Sequence, residues 1–125
     1  MVARVQDNGL ARITSLLSLA NWYFQWGTGS GAAKTANAVT TTGTTEPRTL
    51  ATPSQTTVTV TNDTLQLVGT ITAAASKAVT EVGVFDAAGS GSPPTGGNMD
   101  EYGDFASIAL QAGDSITFTA KTTFM

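Results

Sequence analysis

The sequence predicts an all-β protein, an antiparallel β-sandwich or jelly roll with one short N-terminal helix. Threonine is its most frequent residue and only 12% of its residues are charged. This composition favours half-buried strands, because β-branched side chains fit a pleated surface. Apolar and polar residues alternate in several short segments, and turn residues separate most of these segments. The 125 residues are expected to form a single domain, residues 1–125.

The N-terminal segment, residues 1–20, contains a predicted helix over residues 9–19. Its apolar residues recur at helical spacing, and Asp7 or Asn8 is placed to cap the helix start. In the strand predicted next, residues 21–26, three large aromatic side chains share one face. They are Trp22, Phe24 and Trp26. We expect this face to pack in the core or in a subunit interface, a sugar-stacking platform being the alternative.

Residues 27–54 are rich in glycine, threonine and alanine, and they are too long for an ordinary connection inside a compact domain. We therefore expect an extended arm or an irregular edge strand. The start of this segment looks like a phosphate-binding loop, but Ala33 stands where that motif requires a glycine before the lysine. A glycine-rich turn is the better interpretation, so we predict no cofactor and no small-molecule substrate.

Five strand-like runs follow, each with apolar residues on one face. They span residues 55–61, 65–73, 78–85, 102–110 and 115–124. Asn62 and Asp63 form a predicted tight turn after the first run. The glycine- and proline-rich residues 86–100 are expected to project as a mobile loop unless a partner orders them.

The composition excludes several classes of function. The chain has no histidine and no cysteine, which excludes histidine-based triads and imidazole or thiolate metal sites. The net charge is −3 and the basic residues are scattered, so we predict no nucleic-acid binding. No apolar stretch approaches the ~20 residues that span a bilayer, so no membrane partner is expected. Asp100, Glu101 and Asp104 could hold a hard cation, but a solvated acidic loop is the simpler interpretation, and no metal site is predicted.

Glu81 is the ionisable residue whose position is hardest to explain. Alternation places it on the same strand face as Val79 and Phe85, where an unpaired charge would be costly. We predict that Arg48 or Arg12 forms a structural ion pair with Glu81 and fixes a loop against the sheet. General acid–base catalysis usually needs a second positioned group, so we predict no catalytic residue and no enzymatic activity.

Six segments spread over most of the chain carry a family resemblance. They are residues 9–17, 22–29, 62–64, 68–70, 80–87 and 112–119. Together they resemble a family of small virion proteins of tailed bacteriophages, and the last two are similar to that family's last hairpin and final strand. The loop at residues 87–98 is longer than the glycine-rich turn of the family.

The resemblance implies a jelly-roll protein that cements or decorates a capsid by bridging neighbouring major capsid proteins. Its partners would be the major capsid protein and further copies of itself. Its location would be the outer capsid surface of the virion, after synthesis in the cytoplasm of a host bacterium. The residues expected at the interfaces are Val2, Arg4, Val5, Trp22 and Leu50. The alternative is a tail-tip or fibre module that binds a host-surface glycan.

Overall fold

The computed structural model describes residues 1–39 and 44–125, and it confirms a mostly β fold with two antiparallel sheets and one short helix. The elements are α1 (Asp7–Leu17), β1 (Tyr23–Gly27), β2 (Thr49–Leu50), β3 (Thr52–Thr56), β4 (Thr64–Thr72), β5 (Lys77–Phe85), β6 (Met99–Leu110) and β7 (Ser115–Thr123). One sheet has the order β2-β1-β5-β6 and the other the order β3-β4-β7. The arrangement is compatible with a sandwich, and a jelly-roll connectivity is not confirmed.

The core lies between the two sheets. Trp22, Phe24 and Trp26 all belong to it, as their alternation predicted. The opposite sheet contributes Leu65, Leu67 and Ile71 from β4. A Cβ atom on Gly69 of β4 would lie 2.6 Å from the Phe24 ring, so this position requires glycine. The chain crosses between the sheets at Ala51, whose N–H donates to the carbonyl of Trp22 at 2.8 Å and closes one side of the sandwich.

The helix packs against β3 and β4 through polar as well as apolar contacts. The hydroxyl of the buried Thr14 donates to the carbonyl of Asn62 at 2.6 Å. The amide of Gln55 donates to the carbonyl of Ala11 and to Thr14 Oγ1. The N-cap residue is Gln6 and it makes no side-chain capping bond, so the predicted capping by Asp7 or Asn8 is wrong.

The strand predicted over residues 55–61 is displaced in the structure. β3 ends at Thr56, and residues 57–63 form a loop. The other four predicted strands correspond to β4, β5, β6 and β7, with ends that differ by up to three residues. Asn62 has a φ of 58°, a turn conformation that asparagine tolerates better than most residues. The predicted turn at Asn62 and Asp63 is therefore confirmed, and it begins earlier than the sequence indicated.

Several described residues of the segment 27–54 pack on the chain's own four-stranded sheet, whereas most described residues between 28 and 38 are exposed. Val39, Thr44, Glu46 and Arg48 are all buried. A Cβ atom on Gly83 of β5 would lie 3.1 Å from Val39 Cγ1, which shows how closely the segment approaches this sheet. The two short strands β2 and β3 form outer edges of the two sheets. Residues 40–43 of the segment lie outside the described part of the chain.

Candidate interaction surface

Glu81 is fully buried, as the sequence indicated, but uncharged groups bind its carboxylate. Its Oε1 accepts a hydrogen bond from the N–H of Gly29 at 3.2 Å, and its Oε2 accepts one from the hydroxyl of Tyr102 at 2.6 Å. The neighbouring Thr80 donates through Oγ1 to the carbonyl of Gly29 at 2.6 Å. These bonds attach the glycine-rich turn after β1 to β5 and β6, so Glu81 has a structural role.

The predicted ion pair of Glu81 with Arg48 or Arg12 is wrong. Arg48 donates through Nε to Gln25 Oε1 at 2.9 Å, and its guanidinium carbon lies 3.7 Å from the centre of the Phe85 ring. Arg12 is exposed on α1. An ion pair does form between Lys77 and a different carboxylate, that of Glu46. The Glu81 carboxylate can be buried without either arginine, because the N–H of Gly29 and the hydroxyl of Tyr102 already donate to it.

Arg48 instead holds the loop between β5 and β6, residues 86–98. Its Nη1 donates to the carbonyls of Ala87 and Gly96 at 2.8 and 2.9 Å. At the base of the loop, the Asp86 carboxylate accepts the backbone N–H and the side-chain amide of Asn98. These bonds, with a smaller contribution from the charge of Arg48, lower the pKa of Asp86. The predicted loop is therefore attached to the sheet by contacts within the chain.

Glu46 is a buried carboxylate that the sequence did not single out. It accepts hydrogen bonds from the Lys77 ammonium, from the N–H of Ala74 at 2.9 Å and from Trp26 Nε1 at 3.2 Å. Burial alone would raise the pKa of Glu46, but these donors outweigh it and lower the pKa to about 2. No periodic pattern surrounds Glu46 in the threonine-rich segment, so its partners become visible only in the folded chain.

The Glu46→Gln variant is expected to be less stable than the wild type at neutral pH, by an amount that disappears in acid. The pKa of Glu46 is lower in the folded chain than its ordinary value of 4.5. Its contribution is therefore complete above about pH 4.5 and is lost as the pH falls towards about 2. Urea unfolding of both proteins across this pH range measures the difference.

Lys77→Met is the matched variant for this measurement. It removes the cationic partner of Glu46 and leaves the donors from Ala74 and Trp26 in place. The acid loss of stability should then be smaller than in the wild type and complete at a higher pH, because a missing positive charge raises the folded-state pKa of the carboxyl group. A pH-independent difference between wild type and Glu46→Gln would contradict the assignment.

The described residues include no group of three or more acidic side chains placed to hold a metal ion. Asp104 accepts a hydrogen bond from the N–H of Gly31 at 3.0 Å, and Glu101 accepts one from Thr122 Oγ1. Burial, and to a smaller extent the nearby Asp86, raise the pKa of Asp100.

None of the helical segments among the described residues has both the length and the apolar character needed to cross a bilayer.

The side of the sandwich opposite Ala51 is incompletely closed. β6 and β7 are outer strands of the two sheets, and within the described chain no further strand pairs with their second edges. An opening of about 270 Å³ lies between them. Its apolar lining comes from both sheets and includes Phe24, Val82, Val84, Phe118 and Ala120. The rings of Phe105 and Phe118 lie 6.1 Å apart between β6 and β7.

The unequal strand numbers explain this opening. Four strands face three among the described residues, so the β6 side of the larger sheet has less of the smaller sheet opposite it. On β7 the inward residues Ile116, Phe118 and Ala120 are only partly buried, whereas Leu65 and Leu67 on β4 are almost fully buried. A partly exposed apolar row beside two free strand edges is typical of a surface that binds another protein.

The residues predicted at interfaces divide into two groups. Val2, Val5 and Leu50 are 100%, 50% and 56% exposed, and Arg4 is also exposed. They are accessible, and their contact with a partner stays a prediction. Trp22 is 9% exposed in the core, and its Nε1 donates to the carbonyl of Leu17 at 2.9 Å. The expectation that Trp22 binds a partner is therefore corrected, because its own chain covers it.

Comparisons of the chain with known protein families, with curated proteins and with solved structures find no match.

Proposed function

We propose that this protein is a viral structural protein that decorates and stabilises a bacteriophage capsid, by oligomerising and by bridging neighbouring major capsid proteins. The observation that carries the proposal is the opening between β6 and β7, with a free strand edge on each side of it. The resemblance of the sequence to small phage virion proteins supplies the partner class. The proposed location is the outer surface of the virion.

Free strand edges suit a decorating protein because they can bind an extended segment through backbone hydrogen bonds alone. Such contacts need no catalytic or ligand-binding side chains. A capsid presents the same surface many times, so symmetry repeats each contact and lets modest interfaces act together. The low charged fraction of 12% reduces the number of ionic groups that would lose water in such an interface.

The buried polar residues support a scaffold role in a different way. Glu81, Arg48 and Glu46 each bind groups of their own chain. Each of them attaches an irregular connection to the four-stranded sheet, so that loops and turns keep a defined shape. A protein that binds a repeating lattice benefits from such a shape, because fewer degrees of freedom are lost on binding.

Binding to capsids prepared without this protein tests the proposal. We expect saturable binding at a fixed ratio to the major capsid protein, measured by co-sedimentation and densitometry. Capsids saturated beforehand with unlabelled protein are the control, and they should bind no labelled protein. Absence of capsid binding would contradict the proposal, and binding to host cells instead would favour a tail-tip or fibre module.

A further inference from the structure

We propose that residues 1–6 of a second copy of this chain bind along the free edge of β7 as an added strand and cover the opening between β6 and β7. This inference deepens the proposed function and rests on its oligomerisation part, since it names the surface through which copies associate. It does not depend on which capsid, if any, the protein binds.

β7 is the least protected of the four outer strands in the described chain. Proteins commonly guard such edges with proline, charge or short length. β2 has two residues, and β3 contains Pro53. β6 carries Asp100, Glu101 and Asp104. β7 has nine residues with one charged side chain, Lys121, and neither proline nor glycine. Its second edge is therefore the one best suited to accept another strand.

Residues 1–6 have the properties of the missing strand. They precede α1, belong to no helix or strand and are exposed, Val2 completely so. Fully extended, six residues span roughly 20 Å, enough to pair with about six residues of β7. The hydrogen bond from Arg4 Nε to Gln6 Oε1 lies within the segment itself. The Gln6 carbonyl accepts the N–H groups of Gly9 and Leu10 and can keep these bonds at the start of α1. The contact of Val5 with Gly9 is the one that binding elsewhere would replace.

The side-chain pattern of residues 1–6 fits this position. In an extended conformation Met1, Ala3 and Val5 share one face, and Val2, Arg4 and Gln6 share the other. β7 has the same pattern, with Phe118 and Ala120 facing the opening and threonines facing outward. An added strand would therefore place its more apolar face over the opening and its more polar face in solvent.

Residues 1–6 are positively charged and the chain as a whole carries a net charge of −3, although the one charged side chain of β7 itself, Lys121, is also positive. Arg4 is the only charged side chain in residues 1–6. Three carboxylates lie near the start of β6, and Glu101 among them lines the opening. Opposite charges raise the rate of encounter and favour one binding site over others. Association is therefore expected to weaken as the salt concentration rises.

The geometry favours a second copy over the chain's own segment. α1 packs against β3 and β4, so residues 1–6 of the same chain would have to cross the three-stranded sheet to reach the free edge of β7. With strands about 4.8 Å apart, crossing the three-stranded sheet covers roughly 14 Å and uses about four extended residues. Only two of residues 1–6 would remain to pair with β7, whereas a neighbouring copy can use all six.

Disulfide trapping tests the contact, because the chain contains no cysteine of its own. A tagged Val2→Cys chain is mixed with an untagged chain carrying Thr117→Cys, Thr119→Cys or Lys121→Cys. These positions share the outward face of β7 and cover three registers. The control partner is Ser54→Cys, which lies exposed on the edge strand β3.

The yield of mixed disulfide with at least one β7 position should exceed the yield with Ser54→Cys by about tenfold, because strand pairing raises the effective concentration of the two thiols. Equal yields, or no mixed product, would overturn the inference. A chain carrying both Val2→Cys and Thr119→Cys that closes on itself as a monomer, without mixed products, would overturn the assignment to a second copy.

Light scattering of two valine variants provides the second measurement. Val5 and Val58 are 50% and 62% exposed. The wild type and Val58→Asp should form an oligomer of the same mass, and Val5→Asp should be monomeric. A monomeric wild type, or a Val5→Asp oligomer of wild-type mass, would contradict the inference. An oligomer that forms through β7 but binds no capsid would contradict the capsid proposal alone.

Discussion

Replacing Arg48 by lysine is expected to release the loop between β5 and β6 and to lower the free energy of unfolding by about 3 kcal/mol. The guanidinium donates to Gln25 Oε1 and to the carbonyls of Ala87 and Gly96, and it lies over the Phe85 ring. A lysine ammonium carries its donors on one nitrogen and cannot reproduce this planar fork. Urea unfolding measures the loss of stability, and amide hydrogen exchange of residues 86–98 measures the release of the loop.

Arg12 provides the matched control for this prediction. It is an exposed arginine on α1, and Arg12→Lys should change the stability by less than about 0.5 kcal/mol. Faster exchange confined to residues 86–98 in Arg48→Lys would assign the effect to the loop. Equal stability of the two variants, with unchanged exchange, would show that the Arg48 contacts contribute little.

Much of the fold could be predicted because alternation records which face of a strand is buried. Trp22, Phe24 and Trp26 follow this rule, and all three lie in the core. Glu81 follows the same alternation, which predicted from the sequence alone that this side chain would be buried. The pattern carries no information about the partner across the sheet, and Arg48 turned out to bind a loop instead of Glu81.

The threonine-rich stretch at residues 55–61 shows where alternation fails. Its pattern suits a strand, yet β3 occupies Thr52–Thr56 and residues 57–63 form a loop. The decisive interaction is made by a single buried aspartate that binds several backbone N–H groups of this loop. Local propensity could not predict this outcome, because it depends on a side chain that follows the stretch.

The candidate interaction surface was only partly predictable for a related reason. Exposed apolar residues such as Val2, Val5 and Leu50 could be chosen from the sequence. The opening between β6 and β7 could not, since it results from the unequal strand numbers of the two described sheets. Strand order is a property of the whole fold, and the alternating pattern of β7 looks the same whether its edge is covered or free.

The Asp63→Ala variant is expected to melt roughly 10 °C below the wild type. The buried carboxylate of Asp63 accepts backbone N–H groups from Val58, Thr59 and Val60 at 2.8 to 2.9 Å, and also the hydroxyl of Thr64 at 2.8 Å. Removing it leaves several donors of one loop without their acceptor. Thermal unfolding followed by circular dichroism measures the change in melting temperature.

The difference in melting temperature between the wild type and Asp63→Ala should become smaller at low pH. Hydrogen bonds from the N–H groups of Val60 and Val58 are the main reason that the pKa of Asp63 lies well below its ordinary value of 3.8. A lowered folded-state pKa means that the stabilisation is complete above about pH 4 and decreases as the pH falls further. The gap in melting temperature between the wild type and Asp63→Ala should therefore narrow only in strong acid.

Asp114 is the control that separates this loop from an ordinary turn. Its exposed carboxylate accepts one backbone N–H, from Gln111 at 2.8 Å, in the turn between β6 and β7. Asp114→Ala should therefore lower the melting temperature by only a few degrees. Similar losses for both aspartates would contradict the prediction, since the number of backbone donors bound and the burial of the carboxylate are what distinguish Asp63. A much larger loss for Asp63→Ala would show that one buried side chain fixes where β3 ends.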